Sequence, residues 1–245
     1  MITFVTAADY THAVSAERLV RQIGEFYPES KCFFWDLGCP PDDLLKIQEA
    51  SKMVEVVEFP YSEFPERMNV KNNCGFYAWK PIVIRETSQK TKGGMLVWCD
   101  AGTLLLDRLT EEMEEARKKG VYVSLSGFST KSYTHPGTFF FMNATKDEID
   151  SEMVMAGFII FDQGELSKRI VDKYCEFAIV KACIAPYGAA IAAKDKSDKR
   201  PEHNHRGDQC VLSVLVKRLG IRPGKVVNWK SHQDIDTRGV NYIQI

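Results

Sequence analysis

Asp100 is the residue of this 245-residue chain best placed to do chemistry. It follows the apolar run Met95-Leu96-Val97-Trp98-Cys99 and precedes Ala101-Gly102-Thr103. A short apolar run of this kind reads as a strand covered on both faces. A carboxylate at the carboxyl end of a central strand stands where open α/β sheets bind ligands. The small residues after it let a ligand or metal come close to the backbone. Hard divalent cations prefer carboxylate oxygen, so Asp100 is a candidate ligand for a cation bridging two phosphate oxygens. Capping the next loop is the plainer role for the same side chain.

Five other places carry reactive side chains. Asp208-Gln209 follows a long polar stretch and opens a helix. Asp208 could orient or deprotonate a hydroxyl, or position a donor; it is also a good N-cap type. His232 lies between Trp229-Lys230 and Asp234. It could complete a metal's coordination and Lys230 could neutralise phosphate, although a lone loop histidine is commonly a surface residue. Lys80, between Trp79 and Pro81 near a helix amino terminus, could meet a phosphate there, or be an ordinary surface lysine. Asp9, ending the first strand, could accept hydrogen bonds from a ribose or base, or cap the first helix. His203, His205 and Arg206 sit in a hydrophilic segment and read as solvated or anion-contacting.

The elements that must position these residues alternate. Ile2–Ala8 reads as a strand and Ala13–Phe26 as an amphipathic helix. Lys31–Asp36 is a second strand, Pro41–Ala50 a helix with Asp42 and Asp43 in its first turn, and Val54–Phe59 a third strand. Residues 60–73 read as a loop. A helix over Tyr77–Gln89 leads through Gly93-Gly94 to the strand that ends at Asp100. A charged helix, 109–119, precedes a strand over Val121–Leu125, and 126–147 reads as irregular. Met155–Phe161 is a strand, Glu165–Val180 a helix, 185–207 a polar loop, and the helix opened by Asp208 closes at Gly220. Two short strands flank the histidine loop of the tail. This alternation predicts an α/β fold: one domain with a mostly parallel central sheet flanked by helices.

Bulk properties bound the function. The formal net charge of −1, from 32 basic and 33 acidic residues, gives no general electrostatic reason to bind nucleic acid. No apolar run approaches the roughly 20 residues of a bilayer span, and the amino terminus lacks the pattern of a signal peptide. Seven irregularly spaced cysteines without a CxxC pair argue for buried thiols in a reducing, cytoplasmic compartment.

Taken in order, these motifs resemble the GT-A nucleotide-sugar glycosyltransferases. The opening ITFVTAAD with its helix looks like the nucleotide-binding start of that fold. WKP at 79–81 followed by WCDAG at 98–102 looks like a subset that includes capsule and surface-polysaccharide transferases, with a D-A-G version of the DxD motif. HRGDQCVLSVL at 205–215 is similar to their late "HDQ" helix, and MAGFIIF at 155–161 to their acceptor-side strand.

The resemblance implies a GT-A-like domain with a nucleotide-sugar-binding half, 1–125, and an acceptor-binding half, 126–245. It implies a nucleoside-diphosphate sugar held by Ala7, Asp9, Lys80, Asp100, Ala101, Gly102 and Lys230. It also implies a divalent metal, Mn²⁺ or Mg²⁺, on Asp100 and His232, a catalytic Asp208, and a glycan or other hydroxyl as acceptor. The usual second Asp of the motif is Gly102 here, so metal binding would rest on Asp100, the diphosphate and His232 or water. Two other readings stand beside it: a non-catalytic glycan- or nucleotide-binding module on the same fold, and a sugar nucleotidyltransferase. The latter usually brings a glycine-rich loop after the first strand, where this chain has TAADYTHAV.

Overall fold

The computed structural model describes residues 1–91, 93–191 and 197–225, with the backbone of Trp229–Lys230 and Tyr242–Gln244. In chain order the elements are β1 (Ile2–Ala8), α1 (Ala13–Phe26), β2 (Lys31–Asp36), α2 (Pro41–Ala50), β3 (Val54–Glu58), α3 (Trp79–Lys90), β4 (Met95–Cys99), β5 (Thr103–Leu104) and α4 (Thr110–Lys119). There follow β6 (Val121–Tyr122), β7 (Leu125–Ser129), α5 (Pro136–Met142), α6 (Lys146–Ile149), β8 (Glu152–Val154), β9 (Phe158–Phe161), α7 (Glu165–Ala178), α8 (Lys181–Ile184), α9 (Asp208–Arg218), β10 (Trp229–Lys230) and β11 (Tyr242–Gln244).

The central sheet has the order β3-β2-β1-β4-β9-β6. β3, β2, β1 and β4 run parallel, and β9 alone is reversed between β4 and β6. Side chains alternate across it, as the period of two requires. Val5, Phe33, Leu96 and Trp98 enter one core with Ile82 of α3, Tyr174 of α7 and Val211 of α9. Phe4, Phe34, Val97 and Cys99 enter the other with Leu19 of α1, Ile47 of α2 and Ala116 of α4. Both faces are covered, which is why β1, β2 and β4 are buried along almost their whole length.

Three segments differ from the sequence reading. The strand expected over Val121–Leu125 splits: β6 joins the main sheet, while Leu125 begins β7, which pairs antiparallel with β8 in a separate two-stranded sheet. The strand expected over Met155–Phe161 starts only at Phe158, because the carbonyls of Ala156 and Gly157 turn to Lys80 Nζ and the Asp100 amide. The irregular region holds α5 and α6. His135 Nδ1 accepts from Gly137 N ahead of α5, and Thr145 and Glu148 form a reciprocal capping box on α6.

Candidate active site

Asp100 leaves β4 at the carboxyl edge of the sheet, as the apolar run predicted. Its amide donates to Gly157 O at 2.8 Å and its carbonyl accepts from Thr103 N at 2.9 Å, which fixes the turn. The side chain is 41% exposed, and Oδ1 accepts from Trp98 Nε1 at 2.9 Å. Lys80 Nζ reaches the same oxygen at 2.9 Å. Both contacts fall on Oδ1, so Oδ2 is the oxygen left for a ligand.

Lys80 is the hub. Its side chain is 4% exposed, and Nζ also meets Asp208 Oδ2 at 3.3 Å and Ala156 O at 3.2 Å. The rings of Tyr77 and Trp98 lie 5.4 Å from it, so aromatic faces and carboxylates share the charge. Burial opposes the ammonium, but Asp100 and Asp208 outweigh it and hold its pKa above the ordinary value. This is not the surface lysine of the plainer sequence reading: the side chain is buried and its ammonium sits between two carboxylates.

Asp208 opens α9 without capping it: its side chain turns inward, 3% exposed, and Oδ2 accepts from Tyr174 Oη at 2.6 Å. Burial raises its pKa to about 6, with Asp100 adding to the rise and Lys80 and Tyr174 opposing it. Asp208 in turn helps burial push the Tyr174 phenol well above its usual range, leaving it a hydrogen-bond donor. One ammonium faces two carboxylates, so with both ionised the cluster carries a net −1.

The start of α3 and the start of α9 meet because of backbone that few sequences tolerate. Asn73, Cys74, Gly75, Phe76 and Tyr77 all have positive φ, a left-handed turn just before α3. Such a conformation costs about 1–2 kcal/mol per non-glycine residue and concentrates where the surroundings demand it. A Cβ on Gly75 would lie 2.3 Å from Met68 O, and one on Gly207 2.2 Å from Phe76 O. Glycine at 207 lets residue 76 press against the residue before Asp208, which brings Lys80 within reach.

The other expected site residues scatter. Ala7 is a buried core residue of β1. Asp9 follows β1 half-buried, and its Oδ1 accepts from Thr11 N, Thr11 Oγ1 and His12 Nδ1. Burial would raise its pKa, but the hydrogen bonds from His12 and Thr11 outweigh it and bring it below the ordinary carboxylate value. Ala101 and Gly102 are buried in the turn after Asp100. Lys230 lies on β10, whose backbone alone is described, and His232 lies outside the described residues.

His205 corrects the reading of a solvated histidine segment. It is fully buried, with Nε2 on Ile184 O at 3.0 Å and Nδ1 accepting from His135 N at 3.2 Å. Burial takes its pKa down to about 4, so the ring is a neutral structural link. Tyr174 and the Ala156 carbonyl were missed, because nothing local marks a tyrosine on the buried face of α7.

Among the described residues no group of three or more His, Cys, Asp or Glu side chains could cage a metal. Within the Lys80 cluster, Asp100 Oδ2 is the oxygen that could meet a cation whose shell is completed by a ligand's oxygens.

Residues 1–85 match the model of a family described as "Protein of unknown function (DUF1647)". No curated protein sequence matches the chain. Among solved structures, the galactosyltransferase LgtC, in complex with donor and acceptor sugar analogs, superposes with a TM-score of 0.53 at 12% identity, over 87% of this chain and 70% of that one. Core-mannan synthase A (CmsA/Ktr4) from Aspergillus fumigatus, in an Mn/GDP form, does so at 0.54 and 10% identity, over 88% and 69%. The WbbM bifunctional enzyme gives 0.51 and 13%, over 87% of this chain and 37% of its own length. The fold is therefore the GT-A one expected from the sequence: a mixed α/β domain with a mostly parallel central sheet flanked by helices. No helix among the described residues is long and apolar enough to cross a membrane.

Proposed function

We propose that the protein is a glycosyltransferase that moves a sugar from a nucleoside-diphosphate sugar to a hydroxyl of a glycan acceptor. The observation that carries this reading is the buried Lys80 between Asp100 and Asp208 at the carboxyl edge of a GT-A sheet. In open α/β sheets that edge is where ligands bind. Glycosyl transfer passes through an oxocarbenium-like transition state, and negative charge grows on the departing diphosphate.

Asp100 Oδ2 would hold a divalent cation together with the diphosphate, and the cation would supply countercharge to the leaving group. Lys80 Nζ holds the two carboxylates side by side. Asp208 is the candidate base for the acceptor proton: its pKa of about 6 lies near neutrality, where a general base works well. Tyr174 fixes Oδ2, which leaves Oδ1 for a hydroxyl. Asp9, at the end of β1, is placed to accept from a ribose or base.

The test is a melting-point screen with UDP-, GDP-, CMP- and dTDP-sugars, with and without Mn²⁺, followed by donor turnover. A ligand that binds only the folded form raises the melting point. Asp208→Asn keeps the shape but cannot take a proton, so turnover should fall about 10²–10⁴-fold while donor binding persists. Asp100→Ala should abolish the Mn²⁺-dependent shift. Near wild-type turnover in both variants ends the assignment, and donor binding without any turnover would leave a binding module.

A further inference from the structure

A cavity of about 420 Å³ lies apart from the Lys80 cluster, between β7, the 3₁₀ turn at 131–133 and the segment before α9. Phe128, Tyr133, Ser129, Ser132, Lys199 and Asn204 line it. The two rings meet edge to face, 5.0 Å apart at 60°. Arg206 lies over both, 4.4 Å from the Phe128 centroid and 5.0 Å from that of Tyr133, a cation–π arrangement that holds the rings in place.

The cavity is fastened to the start of α9. Tyr133 O accepts from Arg206 N at 3.1 Å and from Cys210 Sγ at 3.1 Å. Cys210 is two residues beyond Asp208, about 200° round the helix at 3.6 residues per turn. Tyr133 and the Lys80–Asp208 cluster thus flank opposite sides of one helical turn. The cavity therefore abuts the amino-terminal turn of the helix that carries Asp208.

The lining has the chemistry of a saccharide site. A pyranose presents an apolar C–H face and a rim of hydroxyls. Aromatic rings suit the face. Serine hydroxyls both donate and accept, which matches a rim whose groups do the same, while Asn204 Nδ2 already donates to Asp198 O and Arg200 O and holds the cavity wall. Two aromatic rings among polar side chains, at this volume, suit a small polar ligand.

We propose that this cavity binds a sugar residue of the acceptor other than the one that is glycosylated. The protein would then act on an oligosaccharide rather than on a free monosaccharide. This rests on the glycosyltransferase reading, but its test does not need turnover. Saturation-transfer NMR would be run with millimolar methyl glycosides of glucose, galactose, mannose, xylose, fucose and N-acetylglucosamine. The expected result is saturation of ring C–H protons of at least one glycoside by the wild type. That signal should be lost in Phe128→Ala and in Ser132→Trp, which fills the cavity from an exposed position. No signal from any glycoside, or a signal retained in Ser132→Trp, overturns the proposal. Glycoside binding without any response to nucleotide-sugars would remove the enzyme reading and leave the cavity. Donor turnover without glycoside binding would do the reverse.

Discussion

The two ends of α9 each hold a buried carboxylate against a cation, and they do it differently. At the carboxyl end, Arg218 meets Glu148 with two parallel bonds, Nε to Oε1 and Nη2 to Oε2, both 2.9 Å. Arg218 Nη2 also donates to Met142 O at 2.8 Å, and Glu148 Oε2 accepts from Thr145 N at 2.9 Å. Every charge there is matched, and the Arg218 hydrogen bonds pull the Glu148 pKa below its ordinary value against the opposing effect of burial. At the amino end, Asp208 shares one lysine with Asp100, and burial wins, so its pKa rises. The first cluster ties α6 to α9; the second leaves uncompensated negative charge at an open sheet edge. A protein spends stability in that way where a ligand is meant to complete the site.

The largest expected effect tests the amino end. Lys80→Met leaves two carboxylates close together without their cation. Breaking a buried pair by removing one partner costs about 3–5 kcal/mol, so denaturant unfolding should show most of that loss. The double variant Lys80→Met/Asp208→Leu should recover part of it. An unchanged midpoint for Lys80→Met would mean that the cluster does not form in solution.

Arg218→Met should cost less, about 1–3 kcal/mol, because Arg218 is one-third exposed and Glu148 keeps its capping-box partners. A loss as large as that of Lys80→Met would erase the distinction between the two ends.

The smallest effect is a difference of sign with pH. Glu148 has a depressed pKa, so its contribution is present above the ordinary value of 4.5 and is lost as pH falls through its folded pKa. Asp208 has a raised pKa, so its ionisation opposes folding between 3.8 and about 6. The melting-point gap between wild type and Arg218→Met should therefore narrow as pH falls below 4.5. The gap between wild type and Asp208→Asn should move in favour of wild type as pH falls from 6 toward 4. Parallel movement of the two gaps would show that Asp208 is not the raised group.

The first half of the chain was nearly transparent, and the second was not. β1, α1, β2, α2 and β4 fall where the apolar periods and turn residues put them, because each buries a continuous stripe set by local sequence. The two-stranded sheet β7–β8 is short and partly exposed, with polar residues among its apolar ones, so no period marks it. The Thr145–Glu148 capping box was a local signal left unused. Asp100 and Asp208 were legible as carboxylates at element ends, but each had an equally good reading as a cap.

Sequence alone thus determined the strand–helix alternation, the carboxyl-edge position of Asp100 and the charge balance that argues against nucleic acid. These follow from residue type and nearest-neighbour spacing. Only the tertiary structure decided that Lys80 is a buried hub, that Asp208 turns inward to Tyr174, and that His205 is a neutral core residue. Those contacts join residues 76, 34 and 21 positions apart or depend on a left-handed turn meeting Gly207. Desolvation, which sets the protonation of each group, depends on what the fold packs around it.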